Sequence, residues 1–363
     1  MIPYFILLLL PILMWLSGKG ARIKIGNKLL YESHSTSIDV FMLVFLFMLM
    51  FRGVQCGIDT IQYMYLFEKY SSADIYTLLW TGSHEMGYKL LNKLVGMTGA
   101  SYQVLLATTS VISVIPIWYC YKRESSVPLL TISLFLSVTP FCLFFSGIRQ
   151  AIAISCGVVA WYVVKKKKLW LFIVIVVLAM QFHVSAFMLL ALYPLYYARI
   201  TKKWLWFVVP IMLVIYFLRN AIFSFLFSLL WKDYQEGSET GAVNILILLI
   251  LFAVYSYIIV DEKSLDQDTI ALRNILLLSI VIQIFAMLHP LSMRMNYYFL
   301  IFVPILIPKI VKHSSKRYAD VAKLSVIVMT IYFMYYFVNC ILVDNDPLNV
   351  FPYIPFWENG QLV

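Results

Sequence analysis

Long apolar runs follow one another through nearly the whole of this 363-residue chain, and its charged residues are crowded into the gaps between them. A run of about 20 apolar residues, coiled into a helix, spans the roughly 30 Å hydrocarbon core of a bilayer. Hydrocarbon offers the backbone no water, so every N–H and C=O there needs a partner within the protein, which only helices and closed barrels supply. The runs are too long for barrel strands, which take about 9–11 residues each. The expected fold class is therefore all-α, a polytopic integral membrane protein. Composition agrees: 62% of residues are hydrophobic and 13% charged, against about 25% charged in soluble domains, and mean hydropathy is +0.87.

About twelve transmembrane helices are predicted at this run length. The first run, 1–17, has its nearest charges, Lys19, Arg22 and Lys24, after the apolar stretch instead of before it. That order favours a retained helix with its N-terminus outside over a signal peptide. The remaining runs fall near 38–51, 102–120, 127–145, 148–164, 169–181, 184–198, 204–218, 242–260, 270–288, 293–310 and 321–341. Twenty of the 28 lysines and arginines lie around 18–36, 121–126, 165–168, 199–203, 261–274 and 309–323, which marks that side as cytoplasmic. The lysine run 165–168 then reads as a topology signal and the net charge of +10 as membrane orientation, with no nucleic-acid partner. Five cysteines without CxxC spacing predict neither a metal cluster nor a structural disulfide. The chain reads as a single membrane domain over 1–363. Two sizeable outer segments, about 52–101 and 219–241, are candidates for re-entrant or interfacial helices.

An arginine at the centre of a membrane helix costs about 2.5–3.5 kcal/mol, so charges kept near hydrocarbon usually bind or react. Arg52, Arg149 and Arg294 each sit beside an apolar run on the predicted outer side. Arg149 follows Ser146 and Gly147, either of which can cap the new helix, and a helix N-terminus plus a guanidinium is a receptor for phosphate. Gln150 follows it, and Tyr297 and Tyr298 stand three and four residues after Arg294, on its helical face. Gly53 and Gly57 flank the turn that leads to Asp59, where positive φ and close backbone approach are available. In the short amphipathic stretch opened by 82–88, Tyr88, Leu91 and Leu94 are expected on one face and Lys89 and Lys93 on another, as in a helix lying at the interface. His183 lies in an outer turn, and its imidazole titrates near neutral pH, which suits it to accept a proton from a sugar hydroxyl.

In chain order, the segments RGVQCGID, HEMGYKLLN, FFSGIRQAIAI with its following lysine run, FHVSA, R-x-x-Y-Y-F ahead of Pro304, and PYIPFW resemble the EpsG family of exopolysaccharide and O-antigen polymerases. The resemblance spans nearly the whole chain. One departure is Val54-Gln55-Cys56-Gly57, where the family more often has a shorter hydrophobic-Gly step before Asp.

The resemblance implies a Wzy-type polymerase of GT-C-like architecture, acting at the outer face of the bacterial inner membrane. Such an enzyme joins oligosaccharide repeat units carried on undecaprenyl pyrophosphate. Its implied partners are those lipid-linked oligosaccharides, membrane lipids and a chain-length regulator; no cofactor is implied. Pyrophosphate binding falls to Arg149 and Arg294, with Arg52 in support and Gln150, Tyr297 and Tyr298 beside them. The base is His183, with Glu85 or Asp59 as the alternative. Asp59, Asp74 and Glu85 form no compact Asp-x-Asp pair, so arginines and no metal are expected to stabilise the leaving group. Displacement at the anomeric carbon with inversion rests on the resemblance. An O-antigen ligase or another lipid-linked-sugar glycosyltransferase would use the same chemistry. A lipid-linked glycan transporter fits less well, since it calls for internal repeats and polar residues at mid-span.

Overall fold

The structure is a computed structural model and describes residues 1–363 apart from 18–20, 26–27, 34–35, 81, 83, 139, 231–240, 344–347 and 359–363. Among the described residues it is helical except for one antiparallel hairpin, Ala21–Ile25 with Lys28–Ser33, and two isolated bridges. The all-α expectation holds, with this hairpin as a small addition. Arg22 and Lys24 alternate there with Ile23 and Ile25, a period of two that suits a strand.

Five helices are long and apolar enough to cross a membrane: Tyr102–Glu124, Ile148–Lys165, Lys202–Phe225, Gln267–Ala286 and Lys316–Leu342. Pro290–Leu300 and Val303–Lys312, bent by 45°, make a sixth if taken as one span. Six further apolar helices among the described residues have only 10–17 residues, so the dozen full spans are not reached.

Proline accounts for two of the interruptions. The run 127–145 splits into Pro128–Ser137 and a single turn, Leu143–Ser146, around Pro140, which lacks an N–H and biases the residue before it away from helix. The bent pair breaks just before Pro304. The run 184–198 forms a tight 3₁₀ stretch, Val184–Ala191, before the short helix Leu192–Tyr197. Of the expected outer segments, 52–101 folds into three short helices, Thr60–Ser72, Ile75–Trp80 and Met86–Met97. The other, 219–241, begins as a continuation of the helix Leu205–Leu230, and its part from 231 to 240 lies outside the described residues.

The chain divides into two compact units, 1–187 with 328–363, and 188–327. The first is built on aromatic packing. Phe45 meets Phe141 at 5.2 Å and Phe135 at 5.4 Å between ring centroids, and Phe141 meets Phe145 at 5.5 Å and Phe337 at 5.3 Å. Such pairs contribute about 0.5–1.5 kcal/mol each beyond buried area. Against lipid tails, which are as apolar as leucine, close packing is what holds membrane helices together.

Polar contacts give this unit two distinct ends. At one, Lys122 pairs with Asp39 at 3.2 Å and Lys165 with Glu124 at 2.8 Å. At the other, Gln103 Nε2 donates to the carbonyls of Met50 and Arg52, at 2.5 and 3.3 Å. Residues 348–356 return to that second end. Gly53 and Phe356 make a backbone pair with Ile354 and Phe51 (2.8 and 2.9 Å), Gly57 N–H donates to Asn349 O at 2.8 Å, and Tyr4 Oη donates to Val350 O at 2.6 Å.

The second unit is organised on the helix Gln267–Ala286, buried along most of its length. Two of its polar side chains, Ser279 and Gln283, are linked in a chain. Ser279 Oγ donates to Asn296 Oδ1 and Asn296 Nδ2 to Gln283 Oε1, both at 2.7 Å, and Gln283 Nε2 to Ala242 O at 3.1 Å. Arg273, fully buried, holds Glu262 through two nitrogens at 2.7 and 3.1 Å, with its guanidinium 3.9 Å from the centre of the Tyr257 ring.

Candidate active site

Gly147 caps the helix Ile148–Lys165, so Arg149 is its second residue, beside backbone N–H groups that a helix cannot pair internally. A Cβ at Gly147 would stand 2.6 Å from Leu143 Cδ1, so a larger residue at the cap would have to displace that side chain. Ser146 is not the cap; its hydroxyl accepts the N–H of Asp59 at 3.2 Å.

The Arg149 guanidinium donates through Nη1 to Glu85 Oε2, and both side chains are about one-fifth exposed, 21% and 17%. The other carboxylate oxygen accepts the N–H of Val184 at 3.1 Å. One residue pair further on, Tyr88 N–H donates to Gln181 O at 3.2 Å. Gly87 lets these backbones approach, since a Cβ there would lie 2.8 Å from Gln181 Cβ and O. Three stretches far apart in sequence, 85–88, 147–150 and 181–184, thus meet on one ion pair. The guanidinium also faces two phenol rings, Tyr88 at 5.7 Å and Tyr63 at 6.0 Å, within cation–π range.

A second polar contact adjoins the pair. Tyr70 Oη lies 2.7 Å from His84 Nδ1. Gly82, at φ +84°, makes room for it, because a Cβ there would stand 2.8 Å from the Tyr70 oxygen. Burial, reinforced by the positive charge of Arg149, holds the His84 imidazole below the ordinary histidine range.

The expected faces of the helix Met86–Met97 are corrected. Lys89 is buried with Tyr88, Asn92 and Val95, while Leu94 is exposed along with Leu90 and Met97. The helix packs by Tyr88, Asn92 and Val95, one stripe at helical spacing, with Leu91 partly buried against the same cluster and Leu90 and Leu94 turned outward. Lys93 reaches Ser71 O at 2.9 Å.

The structure brings Arg149, Glu85 and the turn containing His183 together. His183 Nδ1 lies 2.6 Å from Ser185 Oγ. Asp59 joins the same neighbourhood through its backbone contact with Ser146. Arg52 is fully buried, with Nη1 donating to Leu49 O at 2.6 Å and, more weakly, to Ser110 Oγ at 3.5 Å. Its Nε and Nη2, like Arg149 Nε, are buried without a hydrogen-bond partner among the described residues. Tyr63 lies within electrostatic reach of both guanidiniums. Gln150 is buried, pointing away from the exposed side of its helix.

Arg294, Tyr297 and Tyr298 belong to the second unit, on the helix Pro290–Leu300. Arg294 is exposed and Tyr298 fully buried, with Tyr297 between, so the three do not present one common surface. His289 caps this helix, its Nδ1 accepting Leu291 N–H at 3.0 Å.

Tyr63, Tyr70 and His84 were not expected at the site. The spacing of Tyr63 and Tyr70, seven residues apart and so on one helical face, was the available signal. Among the described residues no three His, Cys, Asp or Glu side chains gather closely enough to hold a metal ion.

The model of the EpsG family matches residues 39–354, most of the chain. The chain belongs to the EpsG family. EpsG is a Wzy-type polymerase-like family, so membership and the apolar helices together make this EpsG-family chain a membrane-embedded, multi-pass protein of polysaccharide biosynthesis, with a glycosyltransferase-like polymerase role. The match covers every site residue named above. No curated protein and no solved structure matches the chain.

Proposed function

We propose that this EpsG-family chain polymerises lipid-linked repeat units, transferring a glycan from undecaprenyl pyrophosphate to a hydroxyl of an incoming lipid-linked unit at the outer face of the bacterial inner membrane. The observation that carries the reading is Arg149, a largely buried guanidinium at a helix N-terminus, flanked by Tyr63 and Tyr88 and opposed by Glu85. As the bond from the anomeric carbon breaks, one further negative charge develops on the leaving oxygen of a pyrophosphate that is already anionic. Fixed donors in a water-poor site stabilise that charge without reorganising, an effect worth about 10²–10³-fold in rate per donor lost. Arg149 supplies the guanidinium fork, and the orphaned donors of Arg52 supply positive potential behind it.

In this reading the reaction needs no metal and inverts the anomeric carbon. The shorter apolar helices lie within the bilayer as parts of about twelve membrane segments in a GT-C-like arrangement. A chain-length regulator and membrane lipids complete the partners. The test is incubation of purified protein with lipid-linked repeat units from the native strain. A ladder of glycans is expected; a single transfer to another acceptor would point to a ligase, and no transfer would overturn the reading.

A further inference from the structure

Resting on that polymerase reading, the inference concerns what holds Arg149 before substrate arrives. A carboxylate is the nearest chemical relative of a phosphate among protein side chains: planar oxygens, negative charge, and a match to the guanidinium fork. Glu85, 64 residues away in sequence, engages one arm of that fork, Arg149 Nη1, through Oε2. The carboxylate does not depend on Arg149 for its position. Val184 N–H holds its second oxygen, and Glu85 itself caps the helix Met86–Met97 through backbone geometry, with no side-chain bond to the helix. Arg149 likewise keeps its place through Tyr63 and Tyr88. Each partner is separately anchored, so the bond between them can open without unfolding either.

We propose that Glu85 stands in for the donor's pyrophosphate on Arg149 in the resting protein, and is released as the proton acceptor for the incoming hydroxyl when the donor binds. While Glu85 Oε2 accepts from Arg149 it is not open to an incoming hydroxyl. Pyrophosphate taking that donor frees the oxygen. The step then balances. The acceptor O–H breaks and its proton goes to a Glu85 oxygen. The acceptor oxygen bonds to the anomeric carbon, and the bond from that carbon to the pyrophosphate oxygen breaks, its electron pair leaving with the pyrophosphate. Glu85 afterwards returns the proton to solvent. Donor-first order follows, because no base is free until Arg149 is occupied.

The experiment separates binding from turnover in the full-length protein in nanodiscs. Glu85→Gln keeps a carbonyl for Val184 N–H but loses both the charge that competes for Arg149 and the base. The expected result is tighter binding of undecaprenyl pyrophosphate lacking a glycan, by about threefold or more as the internal competitor is removed. Ladder formation should fall by roughly 10²–10⁴-fold, the usual contribution of a general base. Binding that is unchanged or weaker overturns the stand-in role, and ladders at the wild-type rate overturn the base role. If Glu85→Gln fails to fold, Glu85→Asp decides by the same two readings: a shortened carboxylate should loosen its hold on Arg149, tightening pyrophosphate binding, while retaining partial turnover. A wild-type protein that makes no ladders would sink the polymerase reading, whereas the pyrophosphate measurement would still judge Glu85 by itself.

Discussion

Gly57 and Phe145 touch backbone to backbone: a Cβ on Gly57, at φ +112°, would stand 2.5 Å from the Phe145 carbonyl oxygen. Thr60 Oγ1 donates to the same oxygen at 3.3 Å. The loop carrying Arg52 and Asp59 is thereby fixed against the turn that starts the helix of Arg149. Gly57→Ala is expected to strain both, at a cost of roughly 1–3 kcal/mol. Gly99, also at positive φ but with nothing within 4 Å, is the control. A melting midpoint lowered no further by Gly57→Ala than by Gly99→Ala would mean that the close approach is unimportant.

Arg149→Lys retains charge but not the planar fork that meets Glu85 or a pyrophosphate. Ladder formation should drop by about 10²-fold, equivalent to roughly 3 kcal/mol of transition-state stabilisation. Arg294→Ala should fall similarly. Near-normal ladders at equal expression would reassign Arg149 to the lipid headgroups.

Acid should act through His84. Its imidazole is held below the ordinary range in the folded protein, so the unfolded chain takes up the proton first as pH falls. The stability tied to neutral His84 is complete above the unfolded value, about 6.5, and is lost between that value and the lower folded one. His84→Gln, which can still meet Tyr70 Oη, should therefore lose less melting temperature between pH 7.5 and 5 than the wild type. Equal losses would place the acid sensitivity elsewhere.

His183→Asn is expected to keep most ladder activity. The imidazole lies 2.6 Å from Ser185 Oγ, in a turn held by the Glu85 contact to Val184, and a neutral amide can keep that bond. Loss of turnover with a normal melting curve would return the base to His183.

Orientation is checked by reporters. One fused after residue 168 should be cytoplasmic, and one near Gly237, outside the described residues, external. In the first unit Arg149 and Lys165 sit at opposite ends of a single helix, so an external reporter at the lysine run would turn the site inward.

The membrane class, the family elements and the identity of Arg149 as a site residue were legible in the sequence because they are local properties. An apolar run, a charge at its end and a Gly-Ile-Arg turn are each contained within a few residues. Only the tertiary structure joined Glu85 to Arg149, buried Lys89 while exposing Leu94, and enclosed Arg273 as completely as Arg52. The physical reason lies in the solvent. In water, an apolar stripe tells which side of a helix faces the core; in a bilayer the lipid is as apolar as the core, so the stripe is lost and helix-to-helix packing decides each face. Proline and polar side chains then decide which runs become full spans, as Pro140 and Pro304 do here by withholding an N–H from the helix ladder.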